Sequence, residues 1–145
     1  MYHKFTVTEQ PVPYSRITQK SKFVSKQWQR YADYKAKVVA AFLNTITDDA
    51  EKRKFIYNYS VHGKPINTGN QKVYVLSVAY FKNKVHGDSD NINKGILDSL
   101  FVFDKYVVGA FDFGYDADNP RLEITICDNI IDWKSVLRKV EWLQN

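Results

Sequence analysis

Two aspartates with one residue between them, Asp88 and Asp90, carry the clearest sign of chemistry in this sequence. They lie in the loop GDSDN, where the second carboxylate gives the fold no obvious benefit. Two carboxylates held together repel each other, and a divalent cation between them offsets that repulsion. Hard oxygen ligands on a short loop suit Mg²⁺ or Mn²⁺, which keep several coordinated waters. The pair therefore predicts a divalent-cation site, with Asp104 as a candidate third ligand.

The residues that follow this pair also fit a purely structural interpretation. The spacing predicts a helix over about 91–101, with Asp90 as its N-cap and a core-facing side formed by Ile92, Ile96, Leu97 and Leu100. Asp90, Lys94 and Asp98 are each four residues apart and share another face of that helix. A Lys94–Asp98 pair would stabilise the helix by about 0.2–0.5 kcal/mol and imply no chemistry. Asp88 has no role in this structural interpretation, and its presence therefore favours the cation site.

The elements that position these residues follow from the hydrophobic pattern. Residues 72–81, KVYVLSVAYF, are rich in β-branched and aromatic side chains, which predicts a strand buried on both faces at the centre of its sheet. The turn YDADNP joins the last two predicted strands, and Asp132 is the predicted N-cap of the last helix. The other predicted elements are strands over 2–8, 105–113 and 121–127 and helices over about 26–46 and 132–143. Together they predict one α+β domain with a mixed sheet and packed helices.

The stretch 47–71 leaves its structure open. TDDAEKRK would either continue the preceding helix or end it, and FIYNYSV would be either a strand or a helical extension. Only GKPINTGNQ is clearly a loop, because it concentrates glycine, proline and asparagine.

Composition limits the classes of protein to which the chain could belong, and it indicates a cellular compartment. The 145 residues suit a single core, no apolar run is long enough for a membrane span, and the amino terminus lacks a secretory pattern. Cys127 is the single cysteine, and the three histidines are scattered, which disfavours a disulfide, a thiol nucleophile and a zinc site. These features predict a cytoplasmic protein without a membrane partner.

Basic residues near the amino terminus indicate an anionic partner. The net charge is +5, and Arg16, Lys20 and Lys22 precede Lys26 and Arg30 within a short stretch. Aromatic side chains are interleaved among them, a mixture that suits a phosphate backbone with exposed bases. A solvated loop that runs into a helix with core aromatics explains the same stretch equally well.

The acidic stretch, once its spacing is set out, carries a family resemblance. DSDNINKGILDSLFVFDKYVV resembles the signature of RusA-type Holliday junction resolvases: Asp-x-Asp-Asn-x-x-Lys, then Asp-x-Leu, then an aspartate shortly before a strand. Three further segments are similar to that family, namely the proline-containing loop EQPVPYSR, the strand VYVLSVAYF and the closing strand PRLEITI. The resemblance implies that residues 1–145 form one RusA-like endonuclease domain.

The resemblance assigns roles to individual residues. It implies that Asp88, Asp90 and Asp104 are the catalytic, metal-binding carboxylates and that Lys94 is the catalytic lysine. Asn91 and Asp98 also match the motif and would support the site. The sequence departs from the family in two places: Phe103 stands where many members have an acid, and His86 with Gly87 replaces an arginine-rich approach to the motif.

The expected function is Mg²⁺-dependent cleavage of four-way DNA junctions in recombination and repair, with Mn²⁺ as a possible substitute. The carboxylates would hold the cation, Lys94 would offset charge that develops in the transition state, and no covalent nucleophile is needed. Arg16, Lys20, Lys22 and Lys94 would contact DNA. Two scissile strands related by near two-fold symmetry imply a homodimer. The family's usual setting suggests a phage or prophage origin.

Two other functions remain open at this point. The chain would be a catalytically inactive module that binds junctions if the acids serve only the structure. It would be a nuclease of flap or fork DNA if dimer geometry and arm contacts select another branched substrate, because the chemistry of hydrolysis is the same.

Overall fold

A computed structural model describes residues 1–15 and 26–144 of the chain, with residues 140–144 described as helix backbone alone. It contains four strands and four helices within these ranges: β1 Tyr2–Val7, α1 Lys26–Thr45, α2 Asp49–His62, β2 Val73–Phe81, α3 Ser89–Leu100, β3 Val107–Tyr115, β4 Arg121–Cys127 and α4 Ile130–Gln144. The predicted α+β domain with a mixed sheet is confirmed. None of the helices in the described part is long and apolar enough to cross a membrane.

The four strands form one sheet in the order β1-β4-β2-β3. β2 pairs in parallel with β3 and antiparallel with β4, so the prediction that β2 is a central strand is confirmed. Nearly all of its side chains are buried, which explains the uninterrupted apolar run in the sequence. β3 and β4 are joined by a short turn but do not pair with each other, because β2 lies between them.

The main core lies between one face of the sheet and helices α1, α2 and α3. Alternate residues of the strands point into it, among them Val75, Phe81 and Ile124, and they meet Phe42 of α1 and Ile96 of α3. The opposite face of the sheet packs on α4 through Trp133 and Val136, with Tyr74 stacked on the Trp133 ring. α3 therefore crosses between two parallel strands on the same face as α1.

The stretch that the sequence left open contains a separate helix, α2. Asp48 caps it, because its carboxylate accepts a hydrogen bond from the Glu51 backbone N–H at 2.9 Å. Gly63 ends it in the left-handed conformation, with a φ of 73° that favours glycine. FIYNYSV is thus helical.

Two predicted N-caps are wrong. α3 begins at Ser89, so Asp88 occupies the N-cap position and Asp90 lies in the first turn. In α4 the capping side chain is Asn129, whose Oδ1 accepts hydrogen bonds from the backbone N–H groups of Ile131 at 2.7 Å and Asp132 at 3.4 Å. In both cases the helix starts earlier than the sequence indicated, because its first residues lie outside the buried apolar stripe: Ser89 and Asp90 in α3, and the exposed Ile130 and Ile131 in α4.

Candidate functional site

Asp88 and Asp90 lie together at the N-terminal end of α3, just beyond the carboxyl end of β2. The backbone oxygen of Asp88 accepts a hydrogen bond from Ile92 at 3.0 Å, yet its carboxylate makes no capping hydrogen bond. Both aspartates are exposed. Two carboxylates beside the positive end of a helix dipole are electrostatically favoured there, and that of Asp88 is left available to bind a ligand.

Asp104 lies at the other end of the same helix. It precedes β3 in a tight turn, where its backbone oxygen accepts a hydrogen bond from Val107 at 3.0 Å, and its side chain is exposed. A helix with the twelve residues of α3 is about 18 Å long. In the described part of the chain, no group of three or more Asp, Glu, His or Cys side chains is close enough to hold a metal ion. The structure therefore does not bring Asp104 to Asp88 and Asp90 within one chain.

The proline-containing first loop packs against α3. The Tyr14 backbone N–H donates a hydrogen bond to the Asn91 carbonyl at 3.2 Å, and the Lys94 ammonium lies 4.3 Å from the centroid of the Tyr14 ring. Gly87 has no room for a side chain, because a Cβ there would collide with the Pro13 ring. The loop thus holds both Lys94 and the approach to Asp88 in place.

Lys94 shares a cavity of about 290 Å³ with two of the predicted acids. Asp98 and Asp104 line this cavity, together with Lys64, Lys105 and the Tyr14 ring. The structure thus brings Lys94 near Asp104, whereas Asp88 and Asp90 do not line this cavity. Lys64 is bonded to Asp98, and the remaining ammonium groups at this opening, those of Lys94 and Lys105, suit a phosphate group.

Asp98 makes contacts that stabilise the fold. The prediction that it pairs with Lys94 is wrong. Its carboxylate accepts hydrogen bonds from the Lys64 ammonium at 2.8 Å and the Tyr31 hydroxyl at 2.7 Å, and it pairs with Lys35 at 3.0 Å. Burial alone would raise the pKa of Asp98, but the hydrogen bonds from Lys64, Tyr31 and Lys35 outweigh it and lower that pKa to about 2. Two cations closer than Lys94 therefore satisfy this carboxylate.

His86 is a supporting residue that the sequence did not single out for its contacts. Its ring stacks on Phe81 with centroids 3.9 Å apart and planes within 5°. Nδ1 lies 2.9 Å from the Gly87 carbonyl oxygen, which only accepts, so Nδ1 carries a proton and Nε2 bonds the Tyr115 hydroxyl at 3.0 Å. These contacts fasten the loop before Asp88 to the carboxyl ends of β2 and β3. In the sequence, the position of this histidine directly before the acidic motif was the feature that could have indicated its role.

The predicted DNA-binding residues Arg16, Lys20 and Lys22 lie outside the described residues. The segment that contains them is flanked by Tyr14, which contacts α3, and by Lys26. Lys26 and Arg30 line a second cavity of about 590 Å³ together with His86 and Gly87. Both flanks of the basic segment therefore lie beside the loop that leads to Asp88.

A scan against protein-family models finds no match, and a search of curated proteins finds no significant match either.

Proposed function

We propose that this protein is a Mg²⁺-dependent endodeoxyribonuclease that cleaves four-way DNA junctions as a homodimer. The carboxylate of Asp88 carries the proposal: it stands at the N-cap position of α3, makes no capping hydrogen bond and lies beside Asp90. An N-cap side chain normally accepts a hydrogen bond from a backbone N–H of the first turn, and the exposed carboxylate of Asp88 does not. A role outside the fold explains the arrangement, and the resemblance to RusA-type resolvases supports that role.

The carboxylate oxygens of the predicted aspartates are suitable ligands for a divalent cation. Asp88 and Asp90 would hold Mg²⁺ or Mn²⁺ through carboxylate oxygens, with Asp104 as the third ligand. When bound, the cation supplies an activated water and positive charge beside the scissile phosphate. Lys94 would orient the phosphate. Its ammonium lies over the Tyr14 ring, and Lys94 lines the same cavity as Asp104. Its ammonium would offset negative charge on the phosphate oxygens as the bond to the leaving oxygen breaks.

The separation of the acids makes a second protomer necessary for a three-carboxylate site. Asp104 lies beyond the far end of α3, about 18 Å from the first turn, so its own chain does not deliver it to Asp88. A two-fold dimer would bring Asp104 of one protomer to Asp88 and Asp90 of the other, and would do so twice. Two such sites match the two scissile strands of a four-way junction.

The activity is tested with synthetic four-way junction, flap and linear duplex DNA, in Mg²⁺ or in EDTA, with the cuts mapped. Wild-type protein should cut the junction symmetrically in Mg²⁺ alone. Asp90→Asn should abolish cleavage and keep or strengthen junction binding, because loss of a carboxylate lowers repulsion towards phosphate.

Asp49→Asn is the matched control, because Asp49 is an exposed aspartate in the first turn of α2, as Asp90 is in α3. Near-normal cleavage by Asp90→Asn would refute the catalytic assignment. Junction binding without cleavage in Mg²⁺ or Mn²⁺ would identify an inactive binding module. Preferred cutting of flap DNA would identify a nuclease of another branched substrate.

The sharing of the site between protomers is tested by mixing two inactive variants. A heterodimer of Asp90→Asn and Asp104→Asn chains contains one site with both substitutions and one site with neither, provided that each site draws on both chains. The mixture should then regain nicking of a single junction strand, whereas each variant alone stays inactive. A mixture as inactive as its components would show that each site lies within one chain.

A further inference from the structure

We propose that the cavity lined by Lys94 and Asp104 is a nucleotide subsite, in which the Phe103 ring stacks on an unstacked base of branched DNA. Lys94 and Lys105 would hold the phosphate next to that base. This inference rests on the proposed function, because it says how the protein would select a branched substrate over a continuous duplex. Its tests measure binding without cleavage, so that either proposal can fail alone.

Phe103 is a large apolar side chain that the fold leaves in solvent. It is 59% exposed, and its ring contacts no other aromatic ring within residues 1–15 and 26–144. Phe113 of β3, in contrast, is 43% exposed but packs on the rings of Phe81, Phe111 and His86. Phe113 therefore has aromatic neighbours within the chain, whereas more than half of Phe103 is accessible to a ligand.

The backbone around Phe103 is held in place on both sides. The Val102 N–H donates a hydrogen bond to the Ile66 carbonyl at 2.9 Å, and the Val107 N–H donates one to the Asp104 carbonyl at 3.0 Å. An exposed ring on a fixed backbone loses less conformational entropy when it binds, because the chain that carries it is already ordered. Phe103 is therefore suited to act as a rigid stacking surface.

The cavity beside Phe103 has both apolar and cationic lining. Leu97 and Val102 contribute apolar surface, and Lys94 and Lys105 contribute ammonium groups. An apolar surface suits the face of a base, and ammonium groups suit its phosphate. The volume of about 290 Å³ lies at the lower end of the range of small-molecule sites, roughly 300–1,000 Å³. A space of this size suits one nucleotide.

The charges at the opening favour an anionic ligand. Asp98 is neutralised by the Lys64 ammonium, which lies 2.8 Å from its carboxylate. Lys94 and Lys105 therefore give the cavity an excess of positive charge over the carboxylate of Asp104. Such an excess attracts a phosphate, and a phosphate bound there would have its own base within reach of the neighbouring aromatic ring.

A base reaches Phe103 only if it leaves its stack, and this requirement selects branched DNA. Unstacking costs least for a base that is mismatched or already single-stranded, and nucleotides at a branch point lack the continuous stacking of a duplex. Stacking on an aromatic side chain offsets the cost and tolerates any sequence, because every base has a π face. Phe103 would therefore raise the affinity for branched DNA and contribute little on a linear duplex.

The first test measures affinity for a four-way junction and for a linear duplex by fluorescence anisotropy in EDTA. Phe103→Leu should weaken junction binding roughly tenfold or more and leave duplex binding unchanged, because leucine stays apolar but lacks an aromatic face. Phe103→Trp should restore tight junction binding. Tyr57→Leu on α2 is the matched control, since Tyr57 is also exposed and does not line the cavity. Circular dichroism checks that each variant folds.

The second test removes bases from the DNA and stays informative where a Phe103 variant unfolds. Junctions that lack a symmetric pair of bases, at each position around the crossover in turn, are bound to wild type and to Phe103→Leu. At one position, loss of the bases should weaken wild-type binding about as much as Phe103→Leu does. The variant should lose little more there, because both changes remove the same contact.

Equal weakening of junction and duplex binding by Phe103→Leu would overturn the subsite, as would additive losses at every position. A larger monomer fraction of this variant in sedimentation, with unchanged junction affinity of its dimer, would overturn it too and assign the ring to contact with a second chain. Junction binding that depends on Phe103, without cleavage in Mg²⁺ or Mn²⁺, would reject the nuclease and keep the subsite. Junction cleavage with unchanged binding by Phe103→Leu would keep the nuclease and reject the subsite.

Discussion

The carboxylate of Asp98 shows how a motif residue can serve the fold more than the site. The spacing suggested a pair with Lys94, four residues away, but Tyr31 approaches from α1 and Lys64 from the loop after α2. These partners are 67 and 34 residues away in the sequence, so no local pattern would reveal them. Asp88 gave a different case: the sequence placed it outside the helix, whereas it occupies the N-cap position of α3 without a capping hydrogen bond from its side chain.

The first prediction at this scale concerns acid stability. Asp98 has its pKa lowered to about 2, below the 3.8 of a free side chain, so its contribution is fully present above about pH 4. That contribution is lost as the pH falls from about 4 towards 2, because the unfolded chain takes up the proton first. Asp98→Asn should cost roughly 2 kcal/mol of unfolding free energy at neutral pH.

Urea titrations between pH 2.5 and 7 measure this effect as the difference between wild type and Asp98→Asn. Taking the difference removes the titration of other carboxylates, which both proteins share. The difference in unfolding free energy between the two proteins should shrink as the pH falls below about 4. A gap independent of pH would contradict the assignment of the lowered pKa to the contacts of Asp98.

The second prediction at this scale concerns the packing of the first loop. Gly87→Ala should destabilise the protein by about 1–3 kcal/mol, because its Cβ would collide with the Pro13 ring. Thermal unfolding measures the change. Gly114→Ala is the control, since a Cβ there would meet Tyr80 at an ordinary 3.7 Å and should cost less. Equal effects at both positions would indicate that the loop yields without cost.

At the scale of elements, hydrophobic runs predicted the four strands to within about two residues. β2 was the easiest, because burial on both faces leaves an uninterrupted apolar sequence. α2 could not be assigned, since the buried residues described for it are Phe55 and Asn58, and a helix that buries so little has no clear apolar stripe. The separation of β3 from β4 by β2 was also beyond the sequence, because a short turn between two strands normally suggests that they pair.

This order of strands also explains why the site was only partly predictable. Asp88 and Asp90 are neighbours in sequence, and their proximity was therefore certain. The place of Asp104 depended on the direction of β3, which runs parallel to β2 and starts at the far end of α3. A local pattern does not encode that direction.

The prediction at this scale concerns the cap of α4. Asn129→Ala should cost about 1 kcal/mol, because its side chain satisfies two backbone donors of the first turn. Asp132→Ala, which removes the cap that the sequence suggested, should cost only a few tenths of a kcal/mol from the helix dipole. Urea unfolding of both variants compares them directly. A larger effect at Asp132 would reverse the assignment.

At the scale of the whole molecule, the prediction concerns the excess of positive charge. Junction affinity should fall steeply with salt concentration, since each ion pair between a lysine and a phosphate releases counterions. Lys20→Ala with Lys22→Ala should lower the slope of log affinity against log salt by about one for each phosphate that is no longer neutralised. Fluorescence anisotropy at several salt concentrations measures it.

A double change on α2, Arg53→Ala with Lys54→Ala, is the matched control for this prediction. It also removes two positive charges, from exposed positions on α2, and should leave the slope nearly unchanged. Equal slopes for the two double variants would show that Lys20 and Lys22 act only through net charge.

Under the proposed function, the length of α3 makes nuclease activity depend on the concentration of the protein. Because each active site would need two chains, the amount of competent enzyme in dilute solution would rise with the square of the protein concentration. Newly made protein would stay inert until it accumulated, and a modest change in expression would then switch nuclease activity sharply. Such a threshold would protect a genome from stray incision at low abundance, and it would follow from one helix that holds its acids apart.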